Sequence, residues 1–175
     1  MPANELLGVY LVRHAFASHA DPAQWPDDSE RPLTEDGARR FRSAARGLRR
    51  IVPSVDAVLS SGFARAWQTA ELLHDEAGWP VPEDCPELEA GRSAAAALPI
   101  LRDRDERSIA LVGHEPYLSA LASLVSSGGE GALNLGMKKG GVVFLSFDGA
   151  VEPGSARLRW ALAPKILRAL DTSAG

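Results

Sequence analysis

The chain has one cysteine, Cys85, in 175 residues, so it cannot form an internal disulfide. A lone thiol in a loop or on the surface reads as free and unreactive, and a reducing compartment suits it. Long apolar runs are missing too. No segment approaches the roughly 18 consecutive apolar residues of a membrane span, and Met1 to Tyr10 lacks a basic start followed by an apolar stretch. A cytoplasmic protein without membrane contact is expected. Positive charge is not in excess: 19 Lys and Arg stand against 23 Asp and Glu, for a formal net charge of -4. This argues against a nucleic-acid partner bound through counterion release and leaves room for a local basic pocket. There is no cysteine cluster and no HExxH pattern to suggest zinc, and no metal or organic cofactor is implied.

What is present is ordinary for a soluble globular protein, with 45% hydrophobic and 24% charged residues. The length fits one domain over residues 1–175, and neither a linker nor an internal repeat is visible. Leu6 to Val12 is a short apolar run of strand length that stops at Arg13-His14. Ala15 to Pro32, rich in Asp, Pro and Ser around Trp25, reads as a long loop. Thr34 is a candidate N-cap for a helix from Glu35 to Ile51, because Ala38, Phe41, Ala45, Leu48 and Val52 recur at helical spacing. Its arginines, from Arg39 to Arg50, read as a solvated face.

Further on, a strand at Val55 to Ser60 and a helix at Phe63 to Ala77, closed by Gly78 and Pro80, repeat the pattern. Pro80 to Gly91 reads as an acidic loop and Ser93 to Leu101 as a short helix. Ser108 to Val112 is the clearest buried strand, and Pro116 can open a helix to Val125. Gly128 to Gly141 reads as loop. Two strands, Val142 to Phe147 and Arg157 to Leu162, then flank a turn near Asp148-Gly149, and a last helix runs from Pro164 to Leu170.

Strands alternating with helices predict an α/β fold with helices on both faces of the sheet, and in such folds ligands gather at the carboxyl ends of the strands. Arg13 and His14 follow the first strand, Arg65 begins the helix after the second, and His114 follows the buried one. A histidine at a strand end is often only structural, and an arginine early in a helix is often only a surface residue. Two of each on one sheet edge make an anion pocket, with phosphate as the natural guest.

Four segments occur in order: L-V-R-H-A (Leu11 to Ala15), R-P-L-T-E-D-G (Arg31 to Gly37), S-S-G-F-A-R-A-W-Q-T-A (Ser60 to Ala70) and L-V-G-H-E-P (Leu111 to Pro116). In order and spacing they resemble the histidine phosphatase superfamily. The chain looks most similar to its short SixA-type phosphohistidine phosphatases, since it is small, has no large insertion after the second helix, and carries Ala15 where glycine is usual after the histidine. The resemblance implies a phosphoglycerate mutase-like, three-layer α/β/α sandwich with a mostly parallel central sheet. It implies His14 as the nucleophile that is transiently phosphorylated, with Arg13, Arg65 and a protonated His114 binding the nonbridging oxygens. Arg31 either reaches substrate or pairs with a carboxylate to fix its loop.

Many members of that superfamily carry a carboxylate general acid in a loop, and here P-E-L-E-A-G (Pro86 to Gly91) offers Glu87 and Glu89. Short members commonly lack the acid. A phosphoramidate needs it less than an alkyl ester does, because its leaving nitrogen can take up a proton unaided. The expected substrate is therefore phosphohistidine in a protein, such as a histidine-phosphotransfer domain. The alternatives are a small phosphate ester, hydrolysed by a phosphomonoesterase of the same superfamily, or a noncatalytic phosphate- or phosphoprotein-binding module. A monomer or weak dimer is expected.

Overall fold

A computed structural model of the chain describes residues 6–173. The first strand, β1 (Leu7–Arg13), alternates its side chains between two cores: Val9 and Leu11 enter one, Val12 the other. Strand β4 (Ser108–Gly113) does the same, with Ile109 and Leu111 on the first side and Ala110 and Val112 on the second. A strand apolar on both faces must be covered on both, and the helices divide accordingly. Helices α1 (Glu35–Arg49), α2 (Ala64–Leu72) and α5 (Pro164–Ala169) close one face through Phe41, Leu48, Ala66, Ala70 and Leu167. Helices α3 (Ala97–Arg102) and α4 (Tyr117–Ser127) close the other through Leu98, Leu101, Leu118 and Leu121. The result is the three-layer α/β/α sandwich expected.

With β2 (Ala57–Ser60), β3 (Glu83–Asp84), β5 (Val142–Phe147) and β6 (Ala156–Leu162), the sheet order is β3-β2-β4-β1-β5-β6. The ladders β3/β2, β2/β4 and β4/β1 are parallel, while β1/β5 and β5/β6 are antiparallel. In register, Arg13 sits opposite Gly113 and Ser60 opposite Val112. Three parallel strands thus end level, and the residues after each of them meet at one edge.

Thr34 caps α1 as expected, its hydroxyl accepting from the Gly37 amide at 2.9 Å. Gly47 lets α1 touch α5: a Cβ there would lie 1.8 Å from the Leu167 carbonyl oxygen. Several expected elements differ in detail. The helix from Phe63 is α only to Leu72 and continues as a π turn, Leu73–Ala77, closed by Gly78 at a φ of 72°. The expected loop after Pro80 contains the edge strand β3, too short and too acidic to show apolar alternation. The expected helix from Ser93 starts as a 3₁₀ turn, Ala94–Ala96. Cys85 is free, as expected, but buried beneath the surface, where desolvation holds its thiol up at about 12 and keeps it inert. Among the described residues no helix is long and apolar enough to cross a membrane.

Candidate active site

The backbone after β1 is pinned from two sides. The His14 amide donates to the Gly113 carbonyl at 3.0 Å, and the Gly140 amide donates to the carbonyls of Arg13 and His14 at 3.1 and 3.0 Å. The Ser61 amide reaches the Val112 carbonyl at 3.0 Å, tying the end of β2 to the same place. These bonds bring together His14, Arg65 and His114, all buried, at 6, 4 and 2% exposure. The rings of His14 and His114 stand 5.3 Å apart, and Phe63 links the group, edge-on to His114 at 5.1 Å and 5.2 Å beneath the Arg65 guanidinium.

The His14 ring is locked by its own backbone, with Nδ1 lying 2.7 Å from the Ala15 carbonyl oxygen. A carbonyl only accepts, so Nδ1 carries the proton and Nε2 keeps its lone pair. Burial, and then the positive charges of Arg65, Arg13 and Lys139, hold the imidazole down at about 4, against the bond to Ala15. His14 is therefore neutral at physiological pH and nucleophilic at Nε2. The Ala15 amide is held in turn by Thr69, whose hydroxyl accepts from it at 3.0 Å and donates to the Arg65 carbonyl at 2.7 Å. One threonine thus sets the positions of both the histidine loop and the arginine.

His114 departs from the expectation of a protonated imidazole. Burial first, then Arg65 and His14, push it down to about 3, so it is neutral in this structure. Its Nε2 lies 2.9 Å from Ser61 Oγ. With the Ser61 hydroxyl donating to Nε2, the proton sits on Nδ1, which is buried without a partner. Arg13 Nε and Arg65 Nε are also buried without partners. Unpaired buried donors are costly, and an oxyanion is the acceptor that would satisfy several at once.

Arg13 is oriented by a bond from Nη1 to the Met137 carbonyl at 2.6 Å, and the Met137 amide is held at 3.2 Å by Glu115. Arg65 is engaged on its far side by Asp28, which accepts at its backbone carbonyl at 2.8 Å and at its carboxylate at 2.9 Å. Arg31 bonds the same carboxylate through Nε at 2.8 Å and the Ser18 carbonyl through Nη1 at 2.7 Å. These bonds tie Arg31 to the loop between β1 and α1. The Arg31 hydrogen bond, with help from Arg65, holds the Asp28 carboxyl below its ordinary range.

The two acids proposed from sequence have other partners. Glu87 accepts from the Cys85 thiol at 3.4 Å, and Glu89 pairs with Arg92 at 3.6 Å. The carboxylate that bears on His114 is instead that of Asp28. Sequence reasoning did not place Asp28, Ser61, Thr69 or Lys139 among the site residues. Thr69 and Ser61 lie inside a recognised segment, while Asp28 and Lys139 lie in loops whose course only the fold sets.

Comparison with known proteins bears on the family and the fold. The model of the histidine phosphatase superfamily (branch 1) matches residues 9–89. An uncharacterized protein of Picosynechococcus is 32% identical over 154 residues, covering 86% of this chain and 88% of that protein. The phosphohistidine phosphatase SixA of Escherichia coli is 27% identical over 165 residues, covering 91% and 96%. A solved structure of the protein histidine phosphatase SixA complexed with tungstate superposes with a TM-score of 0.78 at 27% identity, over 92% of this chain and 99% of that one. In sequence and in fold alike, the chain belongs to the histidine phosphatase superfamily and is a SixA-like phosphatase.

Proposed function

We propose that this phosphatase hydrolyses phosphohistidine in a protein, through a phosphoenzyme intermediate on His14, as a one-domain enzyme of the cytoplasm. The observation that carries the reading is the His14 Nδ1 to Ala15 carbonyl bond of 2.7 Å, which leaves a neutral Nε2 among Arg13, Arg65 and His114. In the first step the Nε2 lone pair attacks phosphorus in line. The bond from phosphorus to the substrate nitrogen breaks with its electrons staying on the substrate ring, which has taken a proton from water on its other nitrogen and leaves as neutral imidazole. Arg13, Arg65 and the Nδ1–H of His114 stabilise the nonbridging oxygens, where charge gathers. In the second step a water oxygen bonds to phosphorus, the phosphorus–Nε2 bond breaks with its electrons returning to His14, and orthophosphate leaves.

The substrate class follows from the acid. Asp28 is kept ionised by Arg31 and Arg65, and Glu87 and Glu89 are engaged with Cys85 and Arg92, so none of these three stands ready to protonate a leaving alcohol. Phosphohistidine needs none, because an imidazole ring takes up a proton from water at an ordinary pKa of about 6.5 and, protonated on its other nitrogen, leaves as neutral imidazole. SixA of Escherichia coli carries the name phosphohistidine phosphatase, which supports the same reading, with a histidine-phosphotransfer domain as a fitting partner.

Rapid-quench turnover of a phosphoramidate and of an aryl phosphate, with acid-labile phosphate on the protein measured, tests the proposal. The wild type is expected to form the phosphoenzyme and to favour the phosphoramidate, and His14→Ala to do neither. Wild-type turnover surviving in His14→Ala overturns the mechanism. An equal or faster rate on the aryl ester overturns the substrate class in favour of a small phosphate ester. Phosphate binding without turnover of either compound would make the chain a binding module.

A further inference from the structure

Beside the catalytic residues the surface opens into a groove of about 470 Å³ in which Arg13 is joined by Arg40, Lys138, Lys139, Lys165 and Arg168. No carboxylate lines it, although the protein as a whole carries a net charge of -4. Arg40 is paired with Asp36 at 2.8 Å. Lys138, Lys139, Lys165 and Arg168 have no carboxylate partner among the described residues. Lys139 lies 5.0 Å over the ring of Phe16, and its ammonium is pushed down by burial and then by Arg13, Arg31 and Arg65. A concentration of like charge that the fold does not neutralise is unfavourable by itself and favours an anionic partner.

Four separate parts of the chain supply these cations: the end of β1, α1, the segment before Gly140, and α5. An exposed aromatic side chain, Phe16 at 51%, stands among them, with Ala163 and Pro164 beside it. A small ester with one further anionic group would engage one or two of these cations. A surface that carries six cations and an exposed aromatic ring, with no carboxylate, is complementary in charge to an acidic protein surface.

We propose that this groove docks an acidic protein surface around the phosphorylated side chain, so that the enzyme selects its phosphoprotein by charge outside the catalytic pocket. The inference rests on the phosphohistidine reading above. It makes Lys165 and Arg168 selectivity residues that take no part in the chemistry.

Two phosphohistidine peptides of equal length, one flanked by Asp and Glu and one by Ser and Gly, provide the test beside a small phosphoramidate. At low ionic strength the wild type is expected to show kcat/KM at least about tenfold higher for the acidic peptide, and to lose the preference at high ionic strength. The double variant Lys165→Glu, Arg168→Glu is expected to abolish or reverse it while leaving small phosphoramidate turnover unchanged. Equal wild-type rates on the two peptides overturn the proposal. So does a double variant that keeps the preference, or one that slows all three substrates alike. A small bisphosphate whose turnover falls in the double variant while the peptide ratio stays the same assigns the groove to a small anion and also overturns it. If the wild type hydrolyses neither peptide, the phosphohistidine reading fails. Fluorescence anisotropy with the labelled, unphosphorylated acidic peptide then judges the groove alone: binding that charge reversal abolishes upholds docking, and no binding refutes it.

Discussion

Lowering the pH from 7 to 5 should destabilise this protein through two buried histidines. His14 and His114 are held down at about 4 and about 3 in the folded state, against 6.5 for an ordinary histidine. Between pH 6.5 and those values the unfolded chain binds protons that the folded chain does not, so stability falls as pH falls. The loss begins near 6.5 and is complete only below about 4 for His14 and about 3 for His114. At pH 5 each histidine accounts for about 2 kcal/mol, and the two together for about 4 kcal/mol. That is a large part of the 5–15 kcal/mol typical of a folded domain. With a urea m-value of about 2 kcal/mol/M, the unfolding midpoint should drop by roughly 2 M. The assay is urea denaturation at intervals from pH 7 to 5 on the wild type and on His14→Ala, whose drop should be about half as large. Histidine NMR over the same range should show His14 as the neutral Nδ1–H tautomer throughout. A midpoint that stays constant to pH 5, or a His14 resonance titrating near 6.5, would refute the electrostatic account of the site.

Three further outcomes are expected. Arg65→Lys removes a planar fork that bonds Asp28 with both terminal nitrogens and faces the site with its buried Nε, and it should lower kcat/KM for a phosphoramidate by about 10²-fold in steady-state assays. Thr69→Val leaves the Ala15 amide without its acceptor, and urea titration should show a loss of about 1–3 kcal/mol, accompanied by slower phosphoenzyme formation in rapid quench. Gly47→Ala drives a Cβ against the Leu167 carbonyl and should cost about 1–3 kcal/mol by thermal or urea unfolding, while the kcat of the remaining folded protein is unchanged.

Much of the fold was legible because its signals are local. Thr34 caps a helix whose apolar residues recur at a period of 3.6, and Ser108 to Gly113 is apolar on both faces, as a central parallel strand must be. The elements that escaped have weak local signals. β3 is two acidic residues whose pairing with β2 comes from its neighbour, and the π turn after Leu72 continues a helix without any break in composition. The connection between β5 and β6 runs from 148 to 155, close to the 148–156 left by the expected strands, and β6 begins one residue early, at Ala156, where its ladder with β5 starts.

The same division holds at the site. Which side chains are proposed to carry the chemistry was a matter of sequence, because Arg13, His14, Arg65 and His114 each stand at a strand end or helix start inside a recognisable segment. Their state was not. Neutral His114, the proton on Nδ1 of His14, the engagement of Glu87 and Glu89 elsewhere, and the carboxylate of Asp28 between two arginines all depend on burial and on neighbours distant in sequence. A protonation state is set by desolvation and by charges within a few ångströms, and those distances exist only once the chain has folded.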